Sequence, residues 1–375
     1  MDQKKLSVMT EEGALAGLCA LYDRYGYSRF RMSKFEEYDL YVRNKSFLLS
    51  DHMITFTDMS GKLMALKPDV TLSIVKNSRD VVGSVQKVYY RENVYRVAKG
   101  GHGFSEIMQL GLECMGDIDT YCISEVLMLA AESLAALSED FVLDVSHLGV
   151  LSSILDGMGA DDRTRRELIA CVGEKNLHGI ASICESAGIA AERAEALKIL
   201  VSRYGDAEQV LDALAPYVTD ESGLAALSEL REVLAVLRSA GYGKCVRVDF
   251  SVVNDLSYYN GIVFRGFVRD VPAGVLSGGR YDLLMQKMGK KAGAIGFAVY
   301  PDLLVGLSAP DNEYDVDAVL LYDESAEPVA LFEKVRALCE GGMSVTAQHS
   351  VPEKLRYRQL LQWQEGEVRV LEENA

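Results

Sequence analysis

Gln109-Leu110-Gly111-Leu112-Glu113 is the stretch on which the fold turns. Read as a strand it alternates, so Gln109, Gly111 and Glu113 share one face and Leu110 and Leu112 the other. The polar face then carries an amide, a gap and a carboxylate. Glycine in mid-strand is costly unless something approaches the backbone closely. That geometry suits a small polar ligand lying on a sheet. A solvated face with an incidental glycine gives the same letters, so the pattern alone does not decide. The run belongs to residues 87–116, which read as two strands joined by the Gly-rich turn Lys99-Gly100-Gly101-His102-Gly103. Arg96, beside that turn, is the natural anion-binding candidate between the strands.

Upstream, Thr10 to Tyr25 is an amphipathic helix with Leu15, Leu18, Cys19 and Tyr22 at helical spacing, ended by Gly26. Short strand-like runs follow around Phe30, Phe47 and Ile54, and Asp58 to Lys62 reads as a hairpin turn. Pro68 suits the first turn of a helix running through Val75. Asp69 and Thr71 follow it. Asp69 can complement the helix dipole or accept hydrogen bonds from an ammonium ligand; in isolation an ordinary helix-start acid is the plainer reading.

Downstream, residues 120–137 look helical. Residues 147–242 are rich in Ala, Leu and Glu with helical period and read as a helical insertion, with Asp220 or Ser222 capping one of its helices. Strands return over 244–307, at Val246–Phe250, Tyr258–Phe267 and Gly293–Tyr300. Adjacent strand residues face opposite sides, so one of Tyr258 and Tyr259 is expected in a pocket and the other in the core. Ser277-Gly278-Gly279-Arg280-Tyr281-Asp282 reads as a Gly-rich turn before a helix, without the spacing of a P-loop or a dinucleotide fold. Residues 314–375 read strand, helix, strand, helix, strand, a small α/β unit of about sixty residues near the lower limit for independent folding.

The 375-residue composition is globular, with 49% hydrophobic and 25% charged residues. The net charge of −16 argues against a nucleic-acid or anionic-membrane binder. No apolar run reaches the roughly 18–20 residues a membrane span needs, and Glu11 and Glu12 interrupt any secretory signal. The seven cysteines form no C-x-x-C pair and read as buried hydrophobes in a reducing cytoplasm. No cluster of ligating residues has metal spacing, so a structural metal is not expected.

Taken in order, these segments resemble the class II histidyl-tRNA synthetase catalytic core. The carriers are Leu66-Lys67-Pro68-Asp69-Val70-Thr71, Tyr95-Arg96, Gln109 to Glu113, Leu256 to Gly261, Ser277 to Asp282 and Ala294-Ile295-Gly296-Phe297-Ala298. The resemblance spans about residues 10–307. It implies an α+β fold: a class II aminoacyl-tRNA synthetase-like antiparallel sheet flanked by helices, over residues 1–146 and 243–310. A helical insertion follows at 147–242, and a small C-terminal α/β unit resembling a truncated anticodon-binding domain at 311–375.

The departures bear on function. Where the synthetases read R-G-L-D-Y-Y, this chain has Asn254 at the arginine. Where a class motif ends in G-L-E-R, Leu303 stands at the arginine. Val97 and Ala98 follow Arg96 where a glutamate is expected to hold ATP, the basic G-R-x-R loop becomes His102 to Ser105, and Ser33 stands at the first-motif proline. Adenylation develops charge on the α-phosphate, and losing one fixed donor typically costs about 10²–10³ in rate. Several are missing together, while Asp69, Thr71, Gln109, Glu113 and Tyr259 on the amino-acid side remain.

That combination resembles the regulatory subunits of ATP phosphoribosyltransferase, which act in the first step of histidine biosynthesis. The resemblance implies a non-catalytic cytoplasmic protein without cofactor or metal. It is expected to dimerise and to join a short-form catalytic subunit in a hetero-octamer, conferring histidine feedback inhibition. It also implies the site: Asp69, Thr71 and Gln109 hold the histidine ammonium, Arg96 its carboxylate, and Glu113 and Tyr259, with Tyr258 in the candidate set, face the imidazole. Asp69 and Lys67 depart from the L-R-P-E-x-T motif. Two alternatives are a divergent synthetase-like enzyme, disfavoured by Asn254, Leu303 and the net charge, and a free-standing amino-acid sensor, which has no phosphoribosyltransferase partner.

Overall fold

A computed structural model of the chain describes residues 11–48, 53–79, 83–97, 103–252, 258–304, 314–364 and 366–374. Most of the expected Gly-rich turn, Lys99 to His102, and the family-motif positions Asn254 to Ser257 lie outside the described residues. Helix α1 (Glu11–Arg24) buries Leu15, Leu18 and Tyr22, and Gly26, at φ +81°, lets the chain leave it. Strands β1 (Ser28–Arg29) and β2 (Phe35–Glu37) precede α2 (Tyr38–Arg43). Phe47 is not in a strand. It closes a 3₁₀ turn after α2, its N–H bonding Asn44 O at 2.9 Å, so the backbone is satisfied locally. The hairpin β3 (Thr55–Thr57) and β4 (Leu63–Leu66) forms around Asp58, whose Oδ1 accepts from Ser60 N and Lys62 N, with Gly61 at φ +83°. Strands β2, β4 and β3 make a small sheet. Helix α3 (Thr71–Asn77) starts one turn later than expected, because Asp69 Oδ1 accepts from Leu72 N at 2.9 Å.

Strands β5 (Val85–Val97) and β6 (Phe104–Gly116) pair antiparallel in one unbroken register, Val85 opposite Gly116 through Val97 opposite Phe104. Then come α4 (Thr120–Leu137), capped by Asp119, and β7 (Phe141–His147). Six helices fill the next stretch, as its period predicts: α5 (Leu148–Asp156), α6 (Asp162–Gly173), α7 (Leu177–Ser186), α8 (Ala191–Ser202), α9 (Ala207–Leu214) and α10 (Glu221–Ser239). Asp220 caps α10 through Gly223 N. The return to the sheet is β8 (Val246–Val248), β9 (Ile262–Val268), β10 (Leu276–Arg280), α11 (Asp282–Lys287) and β11 (Gly293–Val299).

The large sheet has the order β1-β5-β6-β11-β10-β9-β7-β8. Its six inner strands are antiparallel, whereas both edge strands pair parallel. One face buries Leu110, Leu112 and Cys114 against α1 and α4, and the same apolar cluster runs on through α5 to α10. Helix α4 is long and apolar enough to span a membrane, but most of it is buried in this cluster. The other face carries Val88, Tyr90, Tyr281 and Leu284.

One expectation fails instructively. Ser277 to Arg280 is not a turn but the central strand β10, between β9 and β11. Its glycines are there for closeness. A Cβ on Gly278 would lie 2.3 Å from Gly296 O, and one on Gly279 would lie 2.6 Å from the Tyr259 ring.

Residues 308–375 form a second compact unit. It comprises β12 (Val316–Leu321), α12 (Pro328–Glu340), β13 (Val345–Gln348), β14 (Tyr357–Gln364) and β15 (Glu367–Glu373), in the sheet order β13-β12-β14-β15. Among the described residues of this unit the second expected helix does not form. Residues 357–364 alternate, burying Leu361 and Trp363 on one face, and that period of two makes a strand.

Two glycine substitutions test this packing. Gly278→Ala should lower stability by about 1–3 kcal/mol, as overpacking does. Gly17→Ala, exposed on α1 with nothing within 4 Å of its Cβ position, should raise it by roughly 0.5–1 kcal/mol. Urea unfolding of both variants measures the two signs.

Candidate functional site

On the Tyr90 face of the sheet lies a cavity of about 480 Å³. All seven residues named from the sequence line it: Asp69, Thr71, Arg96, Gln109, Glu113, Tyr258 and Tyr259. Their placement follows from register. Gln109 and Glu113 project from β6 on one face, as alternation requires. Gly111 between them does not leave room for a ligand. Tyr90, directly opposite on β5, fills the gap, and a Cβ on Gly111 would lie 2.5 Å from Tyr90 Oη.

Glu113 is the best-anchored group. Its Oε1 accepts from Thr71 Oγ1 at 2.9 Å and its Oε2 from Tyr281 Oη at 2.6 Å. The carboxyl lies over Gly296 of β11, the residue directly opposite, where a Cβ would come within 1.8 Å of Oε2. Glu113 is only 2% exposed, and burial pushes its pKa up to about 8; the Tyr281 and Thr71 hydrogen bonds pull the other way. The site therefore holds a carboxyl that is largely neutral at pH 7.

Around it the polar groups divide. Asp69, from the turn before α3, has its pKa raised by burial and lowered by Leu72 N–H and by Arg96. Arg96 Nε donates to Pro68 O at 2.9 Å, and among the described residues no hydrogen bond takes its Nη groups, which can serve an anion. The turn carrying Asp69 is itself tied down: Lys67, fully buried, reaches Glu92 of β5 at 2.5 Å. Gln109 is 4% exposed and makes no side-chain hydrogen bond among the described residues. A buried amide in that state has donors and an acceptor to offer a ligand.

The expectation of one pocket tyrosine and one core tyrosine is corrected. Tyr258 and Tyr259 precede β9 in irregular backbone, so strand alternation does not apply. Both line the cavity, with ring centroids 4.5 Å apart, and Tyr259 lies against Gly279. Burial raises both hydroxyl pKa values well above the ordinary one, so they stay protonated donors. The sequence reading missed Tyr281, although it stands in the quoted Ser277–Asp282 run; its phenol holding Glu113 shows only in three dimensions. Tyr90, Arg265 and Tyr300 also went unnamed. The register across the sheet places Arg265 opposite Ser277, and Ser277 Oγ and Tyr300 Oη are 3.1 Å apart. Leu303, at the position of a family arginine, does not line the cavity and is 42% exposed. Among the described residues no cluster of His, Cys, Asp and Glu fits a metal ion.

The sequence model of the histidyl-tRNA synthetase family matches residues 6–304. Curated relatives include ATP phosphoribosyltransferase regulatory subunits. That of Alkaliphilus metalliredigens is 30% identical, covering 74% of this chain and 72% of the relative. That of Halalkalibacterium halodurans is 32% identical, covering 84% and 81%. Among solved structures, an ATP phosphoribosyltransferase regulatory subunit/histidyl-tRNA synthetase from Bacillus halodurans is similar, at a TM-score of 0.76 and 25% identity over 93% of each chain. The histidyl-tRNA synthetase of Nostoc shares the fold, with a TM-score of 0.76 at 17% identity over 99% and 96% of the two chains.

The raised pKa of Glu113 predicts how stability depends on pH. The unfolded carboxyl, near 4.5, gives up its proton before the folded one, near 8. The folded state binds more protons across that window, so this group's contribution falls as pH rises from about 4.5 through about 8. Glu113→Gln should remove the slope. The unfolding free energy of the variant minus that of the wild type, measured by urea at several pH values, should therefore climb between pH 5 and pH 8.

Proposed function

This chain belongs to the histidyl-tRNA synthetase-like family of ATP phosphoribosyltransferase regulatory subunits, and from that premise we propose that its cavity binds free histidine and that binding inhibits a catalytic partner. The protein is a regulatory subunit of ATP phosphoribosyltransferase, acting in histidine biosynthesis. In our reading it carries no phosphoribosyl-transfer residues. It works with the short-form catalytic subunit, as a dimer within a hetero-octamer in the cytoplasm, and requires no cofactor.

The observation that carries the histidine reading is the buried Glu113 carboxyl, held by Thr71 and Tyr281 and withdrawn from water. A buried, largely neutral acid next to an imidazole can pass it a proton and become the partner of an imidazolium, a charge-assisted pair. Tyr258 and Tyr259 enclose the ring. Asp69 and the amide of Gln109 receive the ammonium, together with a lone pair on Thr71 Oγ1, whose hydrogen already goes to Glu113. Arg96 takes the carboxylate through its Nη groups. Leu303 does not line the cavity, and its apolar side chain supplies no cation for adenylate chemistry. That favours a binding role over amino-acid activation.

Inhibition further requires that histidine bind one state of the assembly more tightly than another, since equal affinity shifts nothing. The test is a phosphoribosyltransferase assay on the chain mixed with a short-form catalytic subunit. Activity should appear only in the mixture and fall with histidine. Glu113→Ala should abolish that inhibition and leave assembly intact; inhibition that survives the substitution unchanged would refute the pocket assignment.

The proton bookkeeping gives a second test. The complex pairs ionised Glu113, from a pKa near 8, with imidazolium, from a pKa of about 6.5. Affinity should be flat between those values, fall below about pH 6.5 as a proton must leave Glu113, and fall above about pH 8 as one must be taken up. Calorimetric titration of histidine from pH 5.5 to 9 reads the profile, and Glu113→Gln should lose its alkaline limb.

A further inference from the structure

The two tyrosines of the cavity wall are joined to the helical stretch α5 to α10 by three kinds of contact. The first is apolar: Tyr259 packs against the buried group of Leu148, Val252 and Val263, and Leu148 opens α5. The second is a backbone hydrogen bond, Leu148 N to Gly261 O at 2.9 Å, two residues beyond Tyr259. The third is a chain of charged and polar groups. His147 caps α5, its Nδ1 accepting from Gly149 N at 3.0 Å. The proton of a neutral ring is then on Nε2, which donates to Glu229 Oε2 of α10 at 2.9 Å. Glu229 Oε1 meets Arg280 Nη1 of β10 at 3.4 Å, and Arg280 Nε donates to Asp282 Oδ2 at 2.8 Å. Asp282 and Asn260 close the chain with two bonds: Asp282 N to Asn260 Oδ1 at 2.8 Å, and Asn260 Nδ2 to Asp282 Oδ2 at 3.2 Å. Arg280 also lies over Gly261, where a Cβ would be 3.0 Å from its Cδ.

We propose that Glu229 and Arg280 are positioning residues for the Tyr258–Tyr259 wall, and that through them helix α10 responds to whether the cavity is occupied. The inference rests on the histidine reading for its ligand. Its physical content is separate from that reading. Asn260 follows the tyrosines directly, and its side chain is held at both ends by Asp282. Asp282 is held by Arg280 at Oδ2 and by the Ala294 N–H at Oδ1, 2.9 Å away, and Arg280 by a carboxylate that belongs to α10. The irregular backbone carrying the two aromatic rings meets the neighbouring strand through Asn260 N, which donates to Arg280 O at 3.1 Å. It is oriented by Asn260 on one side and by Leu148 on the other. A ligand that presses on the rings presses on both ties, and both lead to the helical stretch. Glu229, Arg280, Asn260 and Asp282 do not line the cavity, so an effect of Glu229 on binding has to pass through the residues they hold, the Tyr258–Tyr259 wall and Tyr281, which stands between Arg280 and Asp282.

The substitution that isolates the tie is Glu229→Gln. Glutamine still accepts from His147 Nε2–H, which keeps the cap of α5 in place, but it no longer attracts Arg280. The experiment measures histidine affinity by calorimetry and amide hydrogen exchange with and without histidine, on the full chain. Thermal unfolding checks that the variant is folded. In the wild type, histidine should slow exchange in α10 around Glu229 as well as at residues 258–261. In Glu229→Gln, histidine should bind about 3- to 10-fold more weakly, and the slowing in α10 should vanish while that at 258–261 remains. Arg280→Lys, which keeps the charge but loses the fork that spans Glu229 and Asp282, should fall between the two. Unchanged affinity in Glu229→Gln, or α10 exchange in the wild type indifferent to bound histidine, would overturn the inference while leaving the histidine reading intact. Failure of the wild-type chain to bind histidine would overturn the histidine reading and this inference with it.

Discussion

Glu113 lies flat on the sheet because the residue beside it on β11 is Gly296, and no other side chain would leave it that room. The hydrogen bonds that fix it come from two distant segments, Thr71 at the start of α3 and Tyr281 between β10 and α11. The carboxyl therefore does more than offer an acceptor to a ligand. It draws the turn carrying Asp69 and the loop carrying Tyr281 onto the same spot of the sheet. The ion pair of buried Lys67 with the partly exposed Glu92 ties down the first of these segments. Removing Glu92 would leave the buried ammonium without its compensating charge.

Glycine serves this arrangement in three neighbouring strands. Gly111 admits Tyr90, Gly296 admits the Glu113 carboxyl, and Gly279 admits the Tyr259 ring. Each absent side chain is replaced by one arriving from elsewhere. The sheet thus presents a floor of side chains lying parallel to it rather than standing on it, and the cavity is the space above that floor. A chain with a net charge of −16 can keep such a space receptive to a zwitterion because its innermost carboxyl is held largely neutral.

Much of this was legible in the sequence, and the reasons are physical. Alternation in Gln109 to Glu113 fixed which side chains share a face, and the helical period of residues 147–242 is strong enough to read directly. The ordered set of short motifs carried the family, and all seven named residues meet in one cavity. What failed shares a cause. Glycines in Ser277–Arg280 look like a turn because glycine is the commonest turn residue, yet here they sit in a central strand and serve close approach. Strand alternation does not govern Tyr258 and Tyr259, because the regular strand begins only at Ile262. Tyr281 and Glu113 are 168 residues apart, and no local pattern records their bond. The last helix expected in the C-terminal unit lost to the period of two in Leu361 and Trp363.

The central claim is that the floor built around Glu113 is a pocket for one amino acid. Direct calorimetric titration of the isolated wild-type chain with histidine and, separately, with glutamine at pH 7 tests it most closely. Glutamine has a similar reach and the same ammonium and carboxylate, but no ring to accept the Glu113 proton. Saturable binding of histidine with no measurable binding of glutamine is the result the account predicts. Equal binding of both, or binding of neither, would contradict it.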